Sequence, residues 1–114
     1  MYEYKAVLRD IYDGDTITVD IDLGFGIWMR KQKVRLFGID TPELRGPRAQ
    51  PELAKRARDR VVELIGMDNE FLLRSHKDRK GKYGRWLGVC VSSFDINVNR
   101  QLVADGLARE VNYD

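Results

Sequence analysis

From Thr16 to Asp22 the side chains alternate without a break: Ile17, Val19 and Ile21 fall on one side of the backbone, Thr16, Thr18, Asp20 and Asp22 on the other. A repeat of two suits a strand with one face in a core and the other in solvent. One strand alone buries little, so this feature commits the chain to a sheet, and the flanking segments supply the partners. Tyr2 to Arg9 is expected to pair on one side. The turn Leu23-Gly24-Phe25-Gly26 leads into a third strand, Ile27 to Phe37, with Trp28, Val34 and Leu36 on the face opposite Lys31, Lys33 and Arg35. Three strands in succession predict a meander.

Beyond Pro42 the chain becomes charged and turn-rich as far as Pro51, a residue suited to the first position of a helix. Leu53, Ala57, Val61, Leu64 and Ile65 then recur at helical spacing, Arg56, Arg60 and Glu63 are left for solvent, and Gly66 is the expected stop. A strand over Glu70 to Ser75, a basic loop and a strand over Trp86 to Ser93 follow. Asn97 can cap a short helix that buries Val98, Leu102 and Val103 and ends at Gly106. Five strands and two helices within 114 residues leave room for one core, so 1–114 is expected to be a single domain. The fold class is mainly β with α: a five-stranded Greek-key barrel of the OB-fold type with two packed helices satisfies this order.

Charge is divided along the chain. Lys5 and Arg9 stand against Glu3, Asp10, Asp13, Asp15, Asp20 and Asp22 in the first 27 residues, whereas Arg74, Lys77, Arg79, Lys80, Lys82 and Arg85 face Asp78 alone in the basic segment. Such a segment suits a polyanionic partner. The lone Cys90 permits no intrachain disulfide and leaves a thiolate zinc site without partners, so a core position is expected. The first residues carry no cationic stretch followed by an apolar one, and no apolar run approaches a bilayer span, which predicts a cytoplasmic protein without a membrane partner. His76 lacks a second histidine or a cysteine to share a transition metal, and Trp28 and Trp86 are expected to pack rather than stack on bases.

Three segments carry chemistry. Asp13-Gly14-Asp15-Thr16 brings two carboxylates together by a turn and could serve a hard cation, although Asp-Gly is also ordinary hairpin chemistry. Val34-Arg35-Leu36-Phe37-Gly38-Ile39-Asp40-Thr41-Pro42-Glu43 crowds an arginine and two carboxylates at the end of an apolar strand; a structural ion pair of Arg35 with Asp40 or Glu43 is the alternative to a task. Lys82-Tyr83-Gly84-Arg85 offers a guanidinium for phosphate and a ring for a base, or a solvated loop.

In order, spacing and wording these segments resemble the thermonuclease (staphylococcal nuclease-like) family, VRLFGIDTPE being the most specific stretch. The likeness runs from about Tyr4 to Leu107 and continues in Asn99 to Ala108. It implies that Asp15 and Asp40 hold calcium (Ca2+) with the main-chain carbonyl of Thr41, and that Asp13 lies in the outer shell. It implies Glu43 as general base, Arg35 and Arg85 as a phosphate clamp, and Lys82 with Tyr83 holding the nucleotide. Tyr113, near the family's nucleotide-packing tyrosines, is the candidate to stand in for one. The implied function is a calcium-dependent endonuclease on DNA and RNA, single strands preferred, cutting the bond to the 5′ oxygen; a monomer is favoured. Two departures stand out. The loop Leu44 to Arg48 is shorter than in the best-known members, and the family's C-terminal third helix has no residues here to form it. The competing readings are a non-catalytic single-strand-binding or scaffold OB-fold module, and a protein-interaction module whose charges pair internally. Asp15, Asp40 and Glu43 would repel a polyanion unless a cation or catalysis required them, which favours the enzyme.

Overall fold

The computed structural model describes residues 2–76 and 86–111. In chain order its elements are β1 (Glu3–Asp13), β2 (Thr16–Gly24), β3 (Ile27–Leu36), β4 (Ile39–Asp40), α1 (Pro51–Ile65), β5 (Glu70–Ser75), β6 (Trp86–Ser92), α2 (Val98–Ala104) and β7 (Arg109–Glu110). The expected meander is present. β1 continues past Arg9 because it serves two neighbours: Glu3 to Val7 pair with β5, and Lys5 to Asp13 pair with β2. Register shifts between Leu8 and Asp10 and between Ile11 and Asp13 bend it from one partner toward the other. β6 pairs antiparallel with β5 and parallel with β3 over Val34 to Leu36, which closes a barrel in the order β1-β2-β3-β6-β5. Outside the barrel, β4 and β7 form a two-stranded ladder of their own.

The core fills the barrel and the space beneath α1. Ile17, Val19 and Ile21 point inward as the alternation requires, and meet Val34, Leu36, Phe71 and Leu73. α1 begins and ends where Pro51 and Gly66 predict, Gly66 adopting φ +97°. Its buried stripe is Ala54, Ala57, Val61, Leu64 and Ile65; Leu53, expected in the core, is exposed. Ala54 takes that place because it shares the 3.6-residue stripe with Ala57 and Val61 and fits a close approach. Asn97 caps α2 by accepting the backbone N–H of Arg100 at 3.0 Å.

A second correction concerns β3. Ile21 faces Met29 and Val19 faces Gln32, so Asp20 stands opposite two residues, Arg30 and Lys31, and Lys31 takes φ +54°. This bulge reverses the alternation. Trp28 therefore lies on the outer surface instead of beside Val34 and Leu36, with the Arg30 guanidinium 4.9 Å from its ring centre. Trp86 does pack, its indole N–H donating to Gln32 Oε1 at 2.9 Å.

Candidate active site

The β1–β2 turn and the segment after β3 meet because Thr16 pairs with Arg35 and because the Leu36 N–H donates to the Asp15 carbonyl at 2.8 Å. That register sets Asp15 against the end of β3. The buried Asp15 carboxylate accepts the Thr41 N–H at 3.0 Å, and Arg35 Nη1 lies 2.9 Å from the same Oδ2. Arg35 also donates from Nη1 to the Ile39 carbonyl at 2.9 Å and from Nη2 to Asp40 Oδ1. One guanidinium thus lies between the two carboxylates expected to hold a cation. Of the two partners that the sequence left open for Arg35, the structure selects Asp40 and adds Asp15.

Glu43 stands at the rim of the same cleft, which encloses about 840 Å³ and is lined by Asp13, Asp15, Arg35, Asp40, Glu43 and Arg109 among others. Among the described residues the Glu43 carboxylate joins no ion pair; it folds over Gly46, where an added Cβ would lie 3.3 Å from Oε2. Asp13 accepts the Leu44 N–H at 3.3 Å. Burial raises the Asp13 carboxyl above its usual range, the neighbouring Asp15 and Glu43 charges push the same way, and the Leu44 N–H opposes them. Asp15 and Glu43 therefore each lie close enough for their charge to act on Asp13. This crowding of hard oxygen donors, with neither thiol nor imidazole in the cleft, fits a divalent cation of the calcium or magnesium type. The buried Thr41 hydroxyl has no hydrogen-bond partner among the described residues, so a further oxygen beside Asp15 is uncommitted. Among the described residues no three acidic groups form a cation cage, and Arg35 is paired with both Asp15 and Asp40.

Arg109 is a residue that sequence reasoning missed. β7 pairs with β4 so that Arg109 faces Asp40, and its Nη2 lies 3.3 Å from Asp40 Oδ2. Two-residue strands leave no periodic signal. Arg45 and Arg48 also line the cleft, so the short loop still brings positive charge to its edge. Of the other expected site residues, Lys82, Tyr83, Arg85 and Tyr113 lie outside the described residues. His76 stacks on Phe37, ring centres 3.5 Å apart and planes 9° from parallel.

Residues 33–114 match the family model described as staphylococcal nuclease homologue. The chain is 30% identical over 112 residues to the thermonuclease of Staphylococcus intermedius, covering 94% of this chain and 60% of that protein. It is 26% identical over 112 residues to the endonuclease YhcR of Bacillus subtilis (strain 168), covering 93% of this chain and 9% of that one. The chain thus spans under two thirds of either relative.

Proposed function

This chain belongs to the staphylococcal nuclease homologue family, and from that premise we propose that it hydrolyses phosphodiester bonds of DNA and RNA, single strands preferred, with calcium as the metal. The observation that carries the reading is the convergence of Asp15, Asp40 and Arg35, from segments twenty or more residues apart, in one cleft with Glu43 at its rim. The names of the two relatives, thermonuclease and endonuclease, point the same way.

Asp15 and Asp40 would hold the ion with the Thr41 carbonyl, Asp13 adding negative charge nearby. When bound, calcium supplies a Lewis acid that draws charge from a phosphoryl oxygen. The remaining chemistry falls to the side chains. Arg35 already meets three acceptors, and two of its five N–H donors have no partner among the described residues and could serve a phosphate. A guanidinium fixed in this way stabilises the equatorial oxygens more as negative charge grows on them, which is what lowers a barrier. Glu43, exposed at the rim, would take a proton from an attacking water. Arg85, at the end of the basic segment, is the second clamp, and Lys82, Tyr83 and Tyr113 are the nucleotide contacts that the family likeness assigns. Internal pairing of Arg35 with Asp40 and Asp15 is the observation that favours the interaction-module alternative, and the exposed Glu43 weighs against it.

The deciding assay incubates the purified protein with single-stranded DNA and RNA, with calcium or with a chelator. Cleavage is expected with calcium alone. Arg35→Ala and Glu43→Gln should each lower the rate by about 100-fold or more while circular dichroism stays unchanged. Undiminished cleavage by both variants would remove the assigned roles.

A further inference from the structure

The outer face of β2 and β3 carries groups that the cleft does not use. Lys33 precedes Arg35 by two positions and shares its face, and Arg30 and Lys31 occupy the bulge beyond. Opposite them stand Thr16, Thr18 and Asp20. Asp20 is already neutralised, accepting from Arg9 Nε at 2.7 Å, Arg30 Nη1 at 3.0 Å and the Lys31 backbone N–H at 2.9 Å. With the neighbouring strand β1 included, Lys5, Arg9, Arg30, Lys31 and Lys33 meet Asp10, Asp20 and Asp22 on this face, five cations to three carboxylates, which leaves it positive. The row ends at the β2–β3 turn, where Leu23, Ile27 and Trp28 are exposed and Phe25 is fully so. Gly24, Phe25 and Gly26 adopt φ of +84°, +56° and +75°. A glycine would occupy the middle position at lower cost, so this turn holds a bare phenyl ring in water against both backbone preference and the hydrophobic effect. Such an outlier points to a partner for the ring.

We infer that this face is a binding track for a single nucleic-acid strand, running from the Phe25–Trp28 turn along Arg30, Lys31 and Lys33 to Arg35 at the cleft. The inference rests on the proposed phosphodiesterase reading and identifies where the substrate lies beyond the scissile bond. Spaced cations meet phosphates, and the turn offers aromatic faces that stack on unpaired bases; a duplex hides those faces. From Trp28 to Arg35 the strand spans about 23 Å, several nucleotides, within the roughly 4–16-nucleotide footprint of an OB-fold. An anionic membrane also attracts cations and apolar tips. Here, however, the cations extend away from the tip and lead into the cleft, which suits a linear polyanion.

The test measures fluorescence anisotropy of a labelled twelve-nucleotide DNA strand in chelator, where binding is read without cleavage, across a series of salt concentrations. Phe25→Ser should weaken binding about tenfold with the salt slope intact. The pair Lys31→Gln and Lys33→Gln should reduce the slope of log K against log salt by about 1.4. With calcium, both variants should raise KM for the strand and leave turnover of a single-nucleoside nitrophenyl phosphodiester unchanged. All three positions are exposed, and circular dichroism should confirm retained fold. Unaltered strand binding by both variants, or wild-type binding to phosphatidylserine vesicles without affinity for the strand, overturns the track. Should the wild type cleave neither substrate, the enzymatic reading falls by itself, while anisotropy still decides the track.

Discussion

A Cβ at Gly14 would sit 2.9 Å from the Cβ of Ala57 and 3.0 Å from Cγ2 of Thr41. The sequence presents Gly14 as a turn residue, yet what the site requires of it is the absence of a side chain, so that α1 and the Thr41 segment can close on Asp15. Gly14→Ala should therefore cost about 1–3 kcal/mol by overpacking and push Thr41 away from Asp15. Urea denaturation will show the first effect, and slower cleavage by the remaining folded protein the second. An unchanged midpoint would mean that the approach relaxes freely. The charged residues at the end of β3 were legible as a cluster because apolar strands seldom end so. That Arg35 bridges to Asp15 was not, since Asp15 lies twenty positions upstream and only the pairing of Thr16 with Arg35 brings it there. Asn99 was hidden for the same reason: it accepts from the Cys90 N–H and donates to the Phe37 and Gly88 carbonyls, joining α2 to β6 and to the turn after β3 through partners that local sequence does not reveal.

α1 was readable to the residue because its signals are local, a proline at the start and a glycine at the stop. The bulge in β3 was not, because an extra residue is defined only against its partner strand. It is held by Asp20, whose carboxyl is drawn down to about 2, first by the Lys31 backbone N–H and then by the hydrogen bond from Arg9. A folded-state value below the ordinary 3.8 means that this stabilisation is fully present above about pH 4 and is lost as the pH falls through about 2. Asp20→Asn should accordingly lower the denaturation midpoint at pH 7, and the gap from wild type should narrow steadily between about pH 4 and pH 2. A constant gap across that range would assign the role of Asp20 to packing alone.

For the molecule as a whole, element order was enough to suggest a five-stranded barrel, but its closure through three parallel residue pairs of β3 and β6 could not be read from alternation, which is blind to strand direction. The helices are clasped outside the barrel, Arg60 of α1 donating to Asp105 after α2 at 2.6 Å and Gln101 reaching the same carboxylate at 2.9 Å. Cys90 lies wholly inside this assembly, and burial pushes its thiol up to about 12. Since only the thiolate attacks, an aromatic disulfide reagent at pH 8 should leave the native protein unlabelled and react once denaturant opens it. Rapid labelling without denaturant would reveal an opening of β6 that stops short of global unfolding.

The ladder between β4 and β7 joins positions some seventy residues apart, Ile39 with Glu110 and Asp40 with Arg109. None of the five barrel strands depends on it. A premature stop codon or a protease nick just ahead of Arg109 would therefore spare the scaffold while depriving Asp40 of its neighbour. A truncated polypeptide would in this way match the intact one in shape while Asp40 lost the guanidinium that meets its Oδ2.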